Sequence, residues 1–292
     1  MKGIVLAGGT GSRLWPITRS ISKQLLPVYD KPMIYYPIST LMLAGIQEIL
    51  IITTPHDQSR FKELLGDGSS LGISFQYAVQ PEPKGLAQAL TIGEEFLAGG
   101  SCLMILGDNI LHGAGLGRDI VCYLPNSGAH IFTYEVSNPS DYGILKVSPD
   151  GNPVSITEKP VEFVSNLAVT GMYFFDSTVS EVAQNVRPSK RAEFEITSVI
   201  DHYLKSGSLT FTRLSRGVAW LDTGSPASLS DAAEYVRIIE ARTGLKIACL
   251  EEIAFTNGWI DLKQLSILVE KLGRNGYSEY LSKLINEIAE KK

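Results

Sequence analysis

Through the first 136 residues, short apolar runs alternate with longer segments whose apolar positions recur at helical spacing. The runs predict strands at 3–7, 48–53, 73–79, 102–106 and 129–136. The segments between them predict helices at 33–44, 57–65, 85–97 and 116–123. The first of these helices follows Pro32 and stops at Gly45, as helix punctuation requires. Such alternation predicts an α/β fold: a Rossmann-like, mostly parallel sheet flanked by helices, with right-handed crossovers. Ligands of these sheets gather at the carboxyl ends of the strands. The glycine-rich turn after the first run and Gly107-Asp108 both fall there.

Beyond about residue 137 the pattern changes. Strand-like pieces at 142–148, 153–158, 168–175, 208–214 and 217–221 mix with helices at 177–186 and 194–206. From Pro226 the pattern is helical, at 226–242, 262–271 and 277–290. The expected organisation is a body over 1–224, with parts at about 1–136 and 137–224. A helical extension over 225–292 packs on that body or at a subunit interface.

Composition narrows the partners. With 26 lysines and arginines against 31 aspartates and glutamates, the net charge is −5, and no basic tract occurs. A nucleic-acid polymer is therefore not expected. The longest apolar stretches, such as Met33 to Ile46, are too short and interrupted to cross a bilayer, so no membrane partner is expected. No secretory leader pattern opens the chain, and Cys102, Cys122 and Cys249 form no paired motif. A reducing cytoplasm fits best.

The candidate chemistry starts at "GIVLAGGTGSRLWPITRSISKQLLP". Glycines let backbone N–H groups approach an anion, and a helical turn adds its positive end. On the glycines alone, a plain Rossmann-type turn is an equal reading. The dinucleotide fingerprint fails at Leu14, and no Walker spacing precedes Lys23. A guanidinium at Arg13 and an ammonium at Lys23 would suit a triphosphate whose charge shifts during reaction. "LMILGDN" and "AWLDTG" set Asp108 and Asp222 at strand ends. Either alone could merely tie a loop; together they offer the hard oxygens that Mg2+ takes. Gln80 carries both a donor and an acceptor for the edge of a pyrimidine, and Gly85 leaves room for backbone to approach it. No His-carboxylate or Ser-His arrangement accompanies these motifs, which points to catalysis by positioning and electrostatics.

"LAGGTGSRLWPIT" followed by "SKQLLPVYDKPMIYYPI", "QPEPKGLAQAL", "LGDN", "DYGIL", "EKP", "NLAVTGMYFFD", "AEFEITSVI", "WLDTG" and "CLEEIAFTNGWI" closely resembles the sugar-nucleotide pyrophosphorylase family. The match spans nearly the whole chain and is closest to the family's thymidylyltransferases. The resemblance implies a GT-A-like nucleotidyltransferase fold and transfer of a thymidylyl group from dTTP to α-D-glucose 1-phosphate, releasing pyrophosphate. It implies a nucleotide site at Leu6, Gly8, Gly9, Gly11, Arg13, Lys23, Gln80, Gly85 and Asp108. The sugar phosphate would meet Gly143, Glu158, Lys159, Val169, Tyr173 and Arg191. Arg13, Lys23, Asp108 and Asp222 would be catalytic, with Mg2+ held by the two aspartates. A homotetramer in dTDP-rhamnose and polysaccharide biosynthesis is also implied.

Three departures stand out: Lys84 where Asp is usual, Ala192 where Gly is frequent, and Leu111-His112-Gly113-Ala114 in place of an aromatic followed by Tyr-Gly-His. The last implies weakened end-product inhibition. Among rivals, a glycosyltransferase would carry an Asp-x-Asp triplet, which this sequence lacks. A non-catalytic nucleotide-sugar sensor should have lost one of the four catalytic residues. A UTP-preferring uridylyltransferase differs only in base and sugar selectivity.

Overall fold

The computed structural model describes residues 1–9 and 11–290. In chain order it begins with β1 (Lys2–Ala7), the two-residue strands β2 (Pro27–Val28) and β3 (Lys31–Pro32), and α1 (Tyr35–Leu43). Next come β4 (Glu48–Thr53), α2 (Gln58–Leu65), β5 (Ser74–Val79), α3 (Gln88–Ile92), α4 (Glu94–Leu97) and β6 (Cys102–Leu106). The middle of the chain forms β7 (Asn109–His112), α5 (Leu116–Cys122), β8 (Ala129–Glu135), β9 (Gly143–Val147), β10 (Pro153–Glu158) and β11 (Leu167–Phe175). The rest is α6 (Val179–Gln184), α7 (Ile196–Lys205), β12 (Leu209–Arg213), β13 (Ala219–Asp222), α8 (Pro226–Thr243), α9 (Leu250–Thr256), α10 (Leu262–Lys271) and α11 (Gly276–Glu290).

Successive residues of β1 are buried on both faces, which a central parallel strand requires. β1 pairs in parallel with β4 on one side and β6 on the other, and β5 extends β4. One face packs Val5, Ile49, Ile51, Leu103 and Ile105 under α1 and the residue that precedes it, through Ile34, Ile38 and Leu41. The alternate residues Ile4, Leu6, Leu50, Ile52 and Met104 pack against Ala89, Leu90, Ile196, Val199 and Ile200. The expected helix-flanked parallel sheet is therefore present in the first half.

Beyond β6 the nine-stranded sheet turns antiparallel through β11, β9 and β10. β8 pairs antiparallel with β11 and in parallel with β12, rather than continuing the first-half ladder. The reason is β11, nine residues long and almost wholly buried, which occupies the free edge of β6. A separate ribbon pairs β7 with β13, setting Asp222 opposite Asn109 and Trp220 opposite Leu111.

The helix expected over 85–97 is broken. Gly85 sits at φ +113°, α3 starts only at Gln88, and Gly93 separates it from α4. β2, β3 and β7 have too few residues for a periodicity to emerge.

A third apolar cluster joins Val28, Met33, Tyr36 and Ile110 to Ala232 and Val236 of α8 and to Ile247. Beside it lies an ion cluster centred on buried Lys31 and Glu240. The Lys31 side chain, 1% exposed, donates to Asp30 at 2.5 Å and Glu240 at 3.0 Å. Lys246 donates to Glu240 at 2.7 Å and also pairs with Asp30. Among the described residues, no helix is long and apolar enough to cross a membrane.

Candidate active site

β1 delivers Leu6 and Gly8, both buried, to the top of the sheet, with Gly9 exposed beyond them. Gly11 opens the short turn Ser12–Leu14, which presents Arg13 at the surface; Thr18 braces it by donating to the Gly11 carbonyl at 2.7 Å. Lys23 heads a later turn, Lys23–Leu25, and is only 6% exposed. Its ammonium donates to Asp108 Oδ2 at 2.6 Å.

Gln80 follows β5 directly and is buried. Its amide donates to the Gly85 carbonyl at 3.2 Å and to Gln88 Oε1 at 2.9 Å. A Cβ on Gly8 would fall 2.2 Å from Gln80 Oε1, so the glycine-rich turn rests on this amide. Gly85 is held against another segment: the Phe194 N–H donates to the Lys84 carbonyl at 2.7 Å, and the Ala87 N–H to the Phe194 carbonyl at 3.0 Å.

Asp108 follows β6 and Asp222 ends β13. The Thr223 hydroxyl donates to the Asp108 carbonyl at 2.8 Å, fixing the two strand ends together. Their carboxyls are driven in opposite directions. Burial opposes charge on Asp108, but the Lys23 ammonium and its hydrogen bond outweigh that and hold its pKa below the ordinary value. Burial and then the charge of Asp108 push Asp222 upward. Two carboxylates at adjoining strand ends, one of them made costlier to ionise by the other, form a donor set suited to a hard divalent cation. No group of three or more His, Cys, Asp or Glu that could hold a metal occurs among the described residues.

A cavity of about 290 Å³ opens beside this pair. Arg13, Asp108, Gly143, Glu158, Lys159, Val169, Tyr173, Arg191 and Asp222 all line it. The six residues expected at the sugar phosphate thus share one wall system. Leu6, Gly8, Gly9, Gly11, Lys23, Gln80 and Gly85 are not on that wall; they lie at the end of β1, in the turns after it and in the loop after β5, while Arg13 and Asp108 do line the cavity. Arg191 is engaged by Glu195 through two contacts of 2.8 Å from one amino group, and faces Glu158 at 3.6 Å and Glu193 at 3.5 Å. Burial and then Glu195 raise the Glu158 carboxyl, with Arg191 opposing. Burial also moves the Tyr173 phenol far upward, so it remains a neutral hydrogen-bonding group.

Sequence reasoning missed Glu195, Asn109, Tyr142 and Trp220. The last three stand inside "LGDN", "DYGIL" and "AWLDTG", but only the fold turns them toward the site. Trp220 and Tyr142 line the cavity with ring centroids 5.1 Å apart. Asn109, 3% exposed, sits behind Asp108.

The sequence profile of the nucleotidyl transferase family matches residues 2–237. A Mycobacterium tuberculosis protein named glucose-1-phosphate thymidylyltransferase is 52% identical over 285 residues, covering 98% of this chain and 99% of that one. A Neisseria meningitidis protein of the same name is 50% identical over 288 residues, covering 98% and 100%. A solved structure of a proposed glucose-1-phosphate thymidylyltransferase from Bacillus anthracis superposes with a TM-score of 0.75 at 39% identity, covering 81% of this chain and 95% of that one. UDP-glucose pyrophosphorylase, at 24% identity and a TM-score of 0.72, shares the fold over 82% of this chain and 98% of its own. The chain belongs to the nucleotidyl transferase family, within its glucose-1-phosphate thymidylyltransferases.

Proposed function

We propose that the protein transfers a thymidylyl group from dTTP to α-D-glucose 1-phosphate, giving dTDP-glucose and pyrophosphate. The observation that carries this reading is a single cavity whose wall includes Arg13, Asp108 and Asp222 beside Glu158, Lys159 and Arg191. A phosphate oxygen of the sugar phosphate attacks the α-phosphorus of dTTP in line with departing pyrophosphate. That oxygen is already anionic at neutral pH, so no general base is needed. Arg13 and Lys23 offset the charge that builds on the leaving group. Glu158 accepts from sugar hydroxyls, while Lys159 and Arg191 pair with the sugar's phosphate. Gln80 and Gly85 meet the base, Gln80 already bonding the Gly85 carbonyl. Alignment of this kind can remove roughly 7–11 kcal/mol from a barrier.

The donor chemistry of Asp108 and Asp222 fits Mg2+, which would supply charge neutralisation between the two phosphate groups. The proposal extends to a cytoplasmic homotetramer serving dTDP-rhamnose and polysaccharide synthesis. It divides the chain into a nucleotide part near 1–136, a sugar-phosphate part near 137–224 and a helical extension beyond. We also propose a weakened response to end product. Leu111 is buried and His112 is hydrogen-bonded to Tyr235 at 2.8 Å, so neither offers an exposed stacking ring. Strong inhibition by low dTDP-rhamnose would refute that part.

The test is the initial rate of pyrophosphate release with Mg2+, comparing dTTP with UTP, each with glucose 1-phosphate. Release should need both substrates and run faster with dTTP. UTP should still be used, because one methyl group discriminates by only about 1–3 kcal/mol. A faster reaction with UTP would keep the transfer and overturn the thymidine assignment. No release with either nucleotide across a panel of sugar phosphates would favour a sensor.

A further inference from the structure

We propose that Asn109 is a positioning residue that sets Asp108 and Trp220 at the same time. This deepens the reaction proposed above and rests on it. The Asn109 side-chain oxygen accepts from the Trp220 indole N–H at 2.5 Å and from the Gly171 N–H at 3.3 Å. Both of those groups can only donate, so the amide has a single workable orientation. Its nitrogen is thereby aimed at Asp108, donating to Oδ1 at 3.0 Å. The other Asp108 oxygen takes Lys23. The carboxylate offered to a cation is therefore gripped on both oxygens, one grip fixed by a ring in the cavity wall.

The β7–β13 ribbon makes the arrangement rigid, since Trp220 and Asn109 lie on facing strands of one antiparallel pair. Trp220 has one polar hydrogen and it goes to Asn109. Any influence of that hydrogen on Asp108 must pass through the amide. Partners that orient a ligating carboxylate typically matter 10–100-fold in metal affinity. Asn109 thus ties the metal side of the site to the aromatic wall on the sugar side.

The experiment titrates Mn2+ into the full chain with the unreactive α,β-methylene analogue of dTTP present, following free Mn2+ by electron paramagnetic resonance. Asn109→Leu, close in volume, should weaken Mn2+ binding about 10–100-fold. Trp220→Phe should weaken it several-fold although it leaves Asp108 and Asn109 in place. In the Asn109→Leu background, Trp220→Phe should add nothing further for Mn2+. If Trp220→Phe leaves Mn2+ affinity at wild type, or the two effects add, the coupling is refuted. If Asn109→Leu does not fold, Trp220→Phe alone decides. Thermal unfolding that drops in either variant with Mn2+ affinity unchanged would mark a merely structural role and overturn the proposal. Mn2+ binding needs no turnover, so a wild type that binds Mn2+ in this pattern but releases no pyrophosphate would sink the reaction and spare Asn109.

Discussion

Gly85→Ala tests how tightly the loop proposed to meet the base is fastened to the proposed sugar-phosphate side. At φ +113° only glycine is comfortable, and an added Cβ would lie 2.4 Å from the Phe194 carbonyl oxygen and 2.6 Å from its nitrogen. Both are backbone atoms, so no rotamer change relieves the clash. Backbone strain of this type costs about 1–3 kcal/mol. Swinging the loop away would break the two backbone hydrogen bonds between Lys84, Ala87 and Phe194, at about 1 kcal/mol each. Leaving the clash therefore costs about 2 kcal/mol, well below what unfolding the sheet would take, so the loop should shift while the protein stays folded. Reseating it to meet dTTP restores the strain and the backbone clash, and since about 1.4 kcal/mol is a tenfold change, the KM for dTTP should rise by about tenfold or more. The KM for glucose 1-phosphate should rise as well, because Glu193, Glu195 and Ile196, which flank Phe194, line the cavity. Steady-state pyrophosphate release with each substrate varied in turn provides the measurement, with Lys84→Ala as a control that keeps the backbone. Gly85→Ala with both KM values within twofold of wild type would refute the reasoning.

Lys23→Met should lower kcat about 100- to 1,000-fold in single-turnover assays, with the fold intact by circular dichroism; a loss under tenfold would remove Lys23 from the chemistry. Glu240→Leu leaves the buried Lys31 short of a counter-charge and should cost about 3 kcal/mol in urea unfolding, the low end because Asp30 remains. Adding Lys31→Met should restore most of that loss, and failure to do so would deny the pair its role. His130 is 2% exposed, and burial lowers its pKa from 6.5 to about 4. Between those pH values the unfolded chain takes up a proton that the folded chain refuses, so stability falls as the pH falls. The loss should be about 2 kcal/mol by pH 5, and His130→Gln should flatten that part of the profile.

The parallel half of the sheet was legible because buried strands leave unbroken apolar runs, and β4 and β6 match the expected bounds residue for residue. The 85–97 segment misled because its amphipathic spacing says nothing of Phe194, which holds Gly85 out of helical geometry from more than a hundred residues away. Charged and glycine residues of the site could be named from chemistry and resemblance, since each is unusual in its local context. Asn109 and Trp220 could not. Their roles arise from the register of two four-residue strands drawn from distant parts of the chain, and such short strands leave no periodic trace. Glu195 reads locally as one acid among several near Arg191, and only folding selects it as the closest partner.

The ion cluster of Lys31, Asp30, Glu240 and Lys246 bears on how this chain could be recombined. The family profile ends at residue 237, so a chimera built at that seam would take a foreign tail and lose both Glu240 and Lys246. The Lys31 ammonium would then keep only Asp30 of its two carboxylate partners, in the hairpin that follows the turn carrying Lys23. What looks like an interchangeable appendage along the sequence is bolted in space to the hairpin that follows the Lys23 turn. A graft that keeps these ion pairs would have to move residues 27–36 together with the helices.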